Sequence, residues 1–194
     1  MSQKLNSSAI QLALMKSIRT NPTDIIVPNY FLGHFECDVL KVSKSGQYSE
    51  YEIKVSRADF KNDFKKQNYV KTGRTEKKLF GGSLYDHPVY EYRTKHDMIV
   101  CNERCNRFYF VVPEGLIKVD EVPAGLGLIY AKFTQWGIVF EVIKTSKMFK
   151  APNATAEKWQ HLAANLAYKL TDAKQRLANY KNNHASNHSR RQDI

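Results

Sequence analysis

The sequence has few cysteines, no long apolar run and a shortage of acidic residues, and each scarcity excludes a class of protein. Three cysteines among 194 residues are too few for a disulfide framework and are typical of a reducing compartment. No segment approaches the ~20 apolar residues of a membrane-spanning helix. The N-terminal segment lacks the apolar core and cleavage site of a secretion signal. We therefore expect a cytoplasmic protein with no membrane partner.

Acidic residues are outnumbered by basic ones, with 19 Asp+Glu against 30 Lys+Arg and a net charge of +11. Such an excess favours a polyanionic partner, foremost a nucleic acid. Hydrophobic residues make up 42% and aromatic residues 12%, which is a globular composition. A chain of this length buries about 70% of its unfolded surface, enough for one well-packed domain.

The hydrophobic pattern predicts a mixed α/β domain over residues 1–183, followed by a flexible tail over 184–194. We expect a helix over residues 8–19, a hairpin of strands 31–42 and 48–55, and a helix over 57–67 with Ser56 as its N-cap. Residues 68–94 are basic and rich in tyrosine, and we expect a long surface loop or flap. Three further strands, the first in the segment 98–113, and a long C-terminal helix complete the pattern.

Ionisable residues alternate along both strands of the predicted hairpin. Glu36 and Asp38 share one face of the first strand, and Glu50, Glu52 and Lys54 share one face of the second. An ordinary solvent-exposed sheet face would carry charges too. Here, however, most are carboxylates, which repel one another unless a cation lies among them.

These residue types suit metal-assisted hydrolysis of a phosphodiester. Two carboxylates and a backbone carbonyl, those of Asp38, Glu52 and Ile53, form a hard-oxygen site for Mg²⁺ or Mn²⁺. Lys54 lies on the same face and would position the attacking water or balance the charge of the phosphate. We therefore predict that Asp38, Glu52 and Lys54 are the catalytic residues.

Asp38 followed by Glu52-Ile53-Lys54 resembles the signature of the PD-(D/E)XK nuclease superfamily. The longer series ECDVLKVSKSGQYSEYEIKVSRADFKNDFKK, KHD, CNRFYFVVPEGLI and EVPAGLGLIYA is similar to the MmcB-like DNA-repair proteins and related phage and bacterial nucleases. The resemblance covers residues 33–131, with 68–94 as an insertion. It implies a restriction-endonuclease-like core, in which helices flank a mixed sheet, and a bacterial cell or a phage-infected one.

The sequence departs from the superfamily pattern at two places. Cys37 replaces the proline that names the motif. Members often supply a further carboxylate from the first helix, where this chain has Gln11. One-metal catalysis or reduced activity would follow, unless Glu36 substitutes. Ser56 is a further candidate accessory residue.

A dense basic stretch directly follows the predicted catalytic strand. We expect it to contact the DNA backbone, although a charge run is usually only a solvated face. The tyrosines of 68–94 and Phe80 would either stack on unpaired bases or pack the flap onto the body. The predicted nucleic-acid-binding residues are Arg57, Lys61, Lys65, Lys66, Lys71, Arg74, Lys77 and Lys78.

Three functions remain open at this point. The first is a magnesium-dependent deoxyribonuclease in DNA repair, recombination or phage DNA processing. The second is a non-catalytic DNA-binding accessory protein that keeps the nuclease fold. The third is a nuclease acting on RNA, since nothing in the sequence indicates recognition of the 2′-hydroxyl. By analogy with restriction enzymes, a homodimer is a possible assembly.

Overall fold

The computed structural model describes residues 5–189, with side chains described as far as residue 180. The chain divides into two compact units, residues 1–153 and 154–194. The first contains both sheets and three helices, and the second consists of a long helix. The prediction of a single domain over 1–183 stays a prediction.

The first unit is built on a six-stranded mixed sheet of order β1-β2-β3-β6-β7-β8. Strands β3, β6 and β7 are parallel to one another, and the other neighbours are antiparallel. The strands are β1 Ile25–Leu32, β2 Phe35–Val42, β3 Tyr48–Ile53, β6 Arg107–Pro113, β7 Gly127–Thr134 and β8 Gly137–Lys144. A second sheet consists of β4 Gln67–Phe80 and β5 Ser83–Thr94.

Helices cover both faces of the six-stranded sheet. Helix α1, Ser7–Ser17, buries Ile10 and Leu14 against Val39, Tyr51 and neighbouring apolar side chains. On the other face, α2, Arg57–Asp63, places Phe60 against Phe110 with ring centroids 4.9 Å apart. Helix α3, Lys95–Val100, lies on that face too, since the His96 ring contacts the rings of Phe108 and Phe110. The predicted mixed α/β fold, with helices flanking the sheet, is confirmed.

The second unit is the helix α4, Ala156–Ser189. The predicted long C-terminal helix is therefore confirmed, and it extends into the segment expected to be a flexible tail. Residues 190–194 of that tail lie outside the described residues. Although α4 is 34 residues long, no helix in the described part of the chain is apolar enough to cross a membrane.

Three elements differ from the sequence prediction. Strand β1 was not expected, and residues 31–32 belong to it rather than to β2. Residues 98–100 lie in α3 instead of a strand, because Thr94 and Asp97 form a capping box that begins a helix there. Residues 68–94 form an ordered antiparallel hairpin rather than a loop.

Candidate active site

The pairing of β2 with β3 brings two predicted site residues together. Val39 pairs with Tyr51, so that Asp38 lies across from Glu52. The Asp38 carboxylate accepts a hydrogen bond from the Ile53 N–H, with Oδ2 and N 2.6 Å apart. The three residues predicted to hold a metal therefore lie next to one another on adjacent strands.

Asp38 is the carboxylate in this group that lacks a cationic partner. Burial, and then the nearby Glu52 charge, raise the pKa of Asp38 to about 6. The Ile53 hydrogen bond and the charges of Lys54 and Lys95 act in the opposite direction. Within the described part of the chain, Asp38 forms no ion pair shorter than 4 Å.

Lys54 and Glu52 form a buried ion pair. The Lys54 Nζ lies 2.8 Å from Glu52 Oε1, and both residues are almost fully buried. The same Nζ lies 3.0 Å from Asp63 Oδ1. Burial alone would lower the pKa of Lys54, but the two carboxylates raise it above its ordinary value. Lys54 is therefore held as a cation between two anions.

Asp63, at the end of α2, is the centre of a buried charge cluster that also contains residues not predicted as catalytic. Its carboxylate is fully buried and lies 2.7 Å from Lys66 Nζ, 3.2 Å from Lys95 Nζ and 3.3 Å from His96 Nε2. Burial would raise the pKa of Asp63, but the His96 contact and the lysine charges hold it well below its usual range. Asp63 thus anchors the lysines around Glu52.

Lys66 and Lys95 also contact Glu52 directly. Lys66 Nζ lies 3.0 Å from Glu52 Oε1, and Lys95 Nζ lies 3.0 Å from Glu52 Oε2. Lys95 is fully buried, whereas the side chain of Lys66 is 41% exposed. Of the two, Lys66 therefore has the more accessible ammonium.

Glu50 belongs to the same sheet face but is neutralised separately. Arg104 donates to both oxygens of the Glu50 carboxylate, from Nε at 2.6 Å and from Nη2 at 2.8 Å. The guanidinium also donates to the main-chain carbonyls of Leu32 and Phe35. Both residues are buried, so this bidentate pair joins the sheet to the segment after α3.

The face that the sequence indicated to be acidic is therefore charge-balanced. The four carboxylates of Asp38, Glu50, Glu52 and Asp63 are matched in number by four basic side chains, those of Lys54, Lys66, Lys95 and Arg104. The sequence indicated an acidic face because Lys66, Lys95 and Arg104 lie outside the two strands and reach this face only through the folding of the chain around α2 and α3.

The fit of a magnesium ion depends on the oxygens that remain free. Mg²⁺ in proteins is commonly held by one or two carboxylates, with waters completing the octahedron. Asp38 forms no ion pair with any described residue and Glu52 lies across from it, so these two carboxylates are the ones that would hold a hydrated ion. Both Glu52 oxygens already contact lysines, so the ion would share that carboxylate with an ammonium group. Within the described residues, no three His, Cys, Asp or Glu side chains form a metal-binding group.

The candidate accessory residues have different environments. Gln11 Nε2 donates to the Asp38 main-chain carbonyl and to Asn29 Oδ1, both at 2.7 Å, so it supports the strand that carries Asp38. Glu36 is exposed and has no ion pair within the described residues. Ser56 is the N-cap of α2 and accepts from the Asp59 N–H at 3.1 Å, as its predicted capping role requires.

The predicted nucleic-acid-binding residues are spread over α2 and β4. Arg57 is bound to Glu121 and to the Leu116 carbonyl, while Lys66 belongs to the buried cluster. Arg74 and Lys78 pair with the hairpin carboxylates of Glu91 and Glu76. Four of the eight are exposed and form no ion pair with any described residue, namely Lys61, Lys65, Lys71 and Lys77.

No protein-family model matches the sequence, and no curated protein matches it significantly. A solved structure is similar in fold, the SPO1766 protein of unknown function from Silicibacter pomeroyi. It shares 16% sequence identity, with 90% of this chain and 93% of that chain covered and a TM-score of 0.54. At that identity the similarity shows the fold alone: the α/β architecture described above is shared with a protein from Silicibacter pomeroyi.

Proposed function

We propose that this protein is a divalent-metal-dependent nuclease that hydrolyses phosphodiester bonds in DNA. The observation that carries the proposal is the meeting of Asp38, Glu52 and Lys54 on adjacent strands, with Lys54 Nζ 2.8 Å from Glu52 Oε1. This arrangement agrees with the resemblance to the PD-(D/E)XK superfamily. The mixed sheet flanked by helices is compatible with a restriction-endonuclease-like core.

Asp38 and Glu52, with the Ile53 carbonyl, would hold Mg²⁺ or Mn²⁺. When bound, the ion would polarise a phosphoryl oxygen and lower the pKa of a bound water. The Ile53 N–H donates to one oxygen of Asp38 and so holds that carboxylate in place.

Lys54 supplies positive charge next to the two carboxylates. Because Glu52 and Asp63 hold it in place as a cation, Lys54 stabilises negative charge that develops on the phosphate. Lys66 is the half-exposed member of the cluster and offers a second ammonium to the substrate. The exposed Lys61 and Lys65 lie on the adjoining helix and turn, where they would contact the DNA backbone.

A non-catalytic DNA-binding accessory protein is the second candidate. One observation favours it, namely that both oxygens of Glu52 already contact lysine ammonium groups. A carboxylate neutralised in this way binds a metal ion more weakly. The fold and the basic surface would then serve binding alone.

A cleavage assay separates the two functions. The protein is incubated with single-stranded, duplex and branched DNA in Mg²⁺ or Mn²⁺, with EDTA as the metal-free control. Lys54→Ala and Asp38→Asn are expected to lower cleavage by about 100-fold or more. Asp120→Asn is the control, because Asp120 is exposed, forms no ion pair with any described residue and has no predicted role in the site.

Cleavage that survives in Lys54→Ala would contradict the assigned residues. Salt-sensitive DNA binding without cleavage of any substrate would favour the accessory protein. Parallel reactions with RNA test the remaining alternative, which predicts faster cleavage of RNA than of DNA.

A further inference from the structure

The β4–β5 hairpin is long and exposed. Its ladder runs from the Gln67–Thr94 pair to the Phe80–Ser83 pair, and a strand of 14 residues spans roughly 45 Å. Every residue from 73 to 87 is exposed. Such a ribbon has the dimensions of the secondary-structure elements that enter nucleic-acid grooves.

The hairpin ends in a narrow, apolar tip. Gly81 and Gly82 both have positive φ, +58° and +82°, which is typical of a two-residue turn of type I′. Phe80 is 80% exposed and Leu79 is 71% exposed, although both are large apolar side chains. On the returning strand, Leu84 and Tyr85 are more than half exposed. Contiguous exposed apolar side chains of this kind mark interaction sites.

The hairpin tyrosines do not pack the hairpin onto the six-stranded sheet. Tyr69 stacks on Tyr90 with ring centroids 5.1 Å apart and contacts Tyr92 at 4.9 Å. These contacts lie within the hairpin itself and stiffen its base. The apolar side chains of the tip therefore remain available to a ligand.

Charge indicates the chemical class of that ligand. Lys71 and Lys77 are exposed on the strand leading to the tip and have no ion pair with any described residue. Lys78 and His87 line a cleft of about 460 Å³ together with Phe80 and Tyr85. A complementary ligand would offer anionic groups to the lysines and apolar faces to Phe80 and Tyr85. DNA has both, because its phosphates lie on the outside and its bases stack within.

We propose that the tip of the hairpin is a wedge that inserts between the bases of DNA. Phe80 would enter the base stack, and Leu79 and Leu84 would support it. Lys77 would hold a phosphate near the inserted step, whereas Lys71, roughly 30 Å from Phe80 along β4, would hold one farther along the DNA. Insertion of apolar side chains unstacks a base step and kinks the duplex. This inference rests on the proposed function only in that the ligand is DNA, and it does not require cleavage.

The test uses duplex DNA that carries 2-aminopurine, whose fluorescence rises on unstacking, and the full chain in EDTA to prevent hydrolysis. Wild-type protein should raise the fluorescence severalfold. A Phe80→Ala, Leu84→Ala double variant should abolish the rise and weaken affinity about tenfold or more. Trp136→Ala is the matched control, because Trp136 is an aromatic residue 87% exposed at another turn.

Three other results would contradict insertion of the hairpin tip into DNA, and each can be told from the others. Tight DNA binding without a fluorescence rise would leave the proposed function standing and refute insertion. No DNA binding by the wild type would refute both. If sedimentation velocity shows self-association that Phe80→Ala abolishes, without an effect on DNA, the tip is instead a contact between copies of the chain. The substituted side chains are exposed, and circular dichroism checks that the variants fold.

Discussion

Asp63 shows how much a single buried carboxylate contributes to this fold. It contacts Lys54, Lys66, Lys95 and His96 and is inaccessible to solvent. Removal of its charge would leave buried lysines without a counter-charge, which is far costlier than losing a surface pair. The stability of the site and that of the protein therefore depend on the same residue.

We expect Asp63→Asn to lower the free energy of unfolding by about 3–5 kcal/mol. Asp59→Asn, on the same helix, should change it by less than about 0.5 kcal/mol, because Asp59 is half exposed and lies 3.8 Å from Lys54. Urea unfolding followed by circular dichroism measures both. Equal losses in the two variants would show that burial at Asp63 is not the cause.

A second buried carboxylate makes the stability depend on pH. The hydrogen bond and charge of Lys41, whose Nζ lies 2.9 Å from Asp24 Oδ2, hold the pKa of Asp24 below its ordinary value. Because the pKa of Asp24 is lower in the folded state than the unfolded-state pKa of about 3.9, its ionised form stabilises the protein above about pH 3.9. That stabilisation is lost as the pH falls through the folded-state pKa.

We therefore expect Asp24→Asn to flatten the acid limb of the stability curve between about pH 5 and pH 3. Urea midpoints measured across that range compare it with wild type. Asp120→Asn is the control, since Asp120 is an exposed aspartate in a surface turn. An acid limb that stays as steep in Asp24→Asn as in wild type would exclude the Asp24–Lys41 pair as its source.

At this scale the sequence predicts part of the site. The alternation of side chains along two strands was sufficient to predict that Asp38, Glu52 and Lys54 lie close together. The same pattern could not predict the contact of Lys95 with Glu52, because that contact depends on the tertiary packing of α3. The signal at Asp63 was its spacing of four residues from Asp59, which places both on one helix face but cannot show which is buried.

At the scale of elements, strand β1 illustrates why pattern and structure diverge. Pro28 lacks an N–H and lowers the strand propensity of its segment, but β1 is an edge strand, where proline is tolerated. The β4–β5 hairpin has no buried face, so it shows no hydrophobic alternation to detect. The Gly81-Gly82 pair was the usable signal, as a two-residue hairpin turn.

The contact between β6 and β7 depends on a glycine in β7. A Cβ built on Gly127 would lie 2.3 Å and 2.5 Å from two ring atoms of Tyr109. We expect Gly127→Ala to cost about 1–3 kcal/mol through overpacking, measured as a fall in thermal midpoint. The penalty should shrink in a Tyr109→Leu background, because the obstructing ring is gone. The same penalty in both backgrounds would contradict a clash with Tyr109.

For the whole molecule, the total of 30 basic residues overstates the number of cations available to a ligand. Arg104, Lys54 and Lys95 form ion pairs with buried carboxylates, and Arg57 is bound to Glu121. We therefore expect electrostatic binding to depend on the exposed lysines that form no ion pair with any described residue. The polyanionic partner that composition predicted stays a prediction, and the structure shows which lysines are exposed.

We expect the double variant Lys71→Ala, Lys77→Ala to reduce the salt dependence of DNA affinity. Each lost phosphate contact lowers the slope of log K against log[salt] by about 0.9 for duplex DNA, so the slope should flatten by roughly 2. Fluorescence anisotropy at several salt concentrations measures it. Lys132→Ala is the control and should leave the slope unchanged, because Lys132 pairs with Glu114 and Glu141. An unaltered slope in the lysine double variant would show that the hairpin does not touch phosphate.

The paired ends of the hairpin also affect how the chain folds. Strands β3 and β6 are neighbours in the sheet, yet Ser49 pairs with Arg107, 58 positions later in the chain. The Lys95 N–H donates to the Lys66 carbonyl, so the hairpin leaves and rejoins the main path at one point. If the hairpin forms early, the loop that must close between β3 and β6 is about half as long. The entropic cost of closing it is then lower by about 0.6 kcal/mol. The β4–β5 hairpin lengthens the chain between β3 and β6, but it would then slow the pairing of these two parallel strands only slightly.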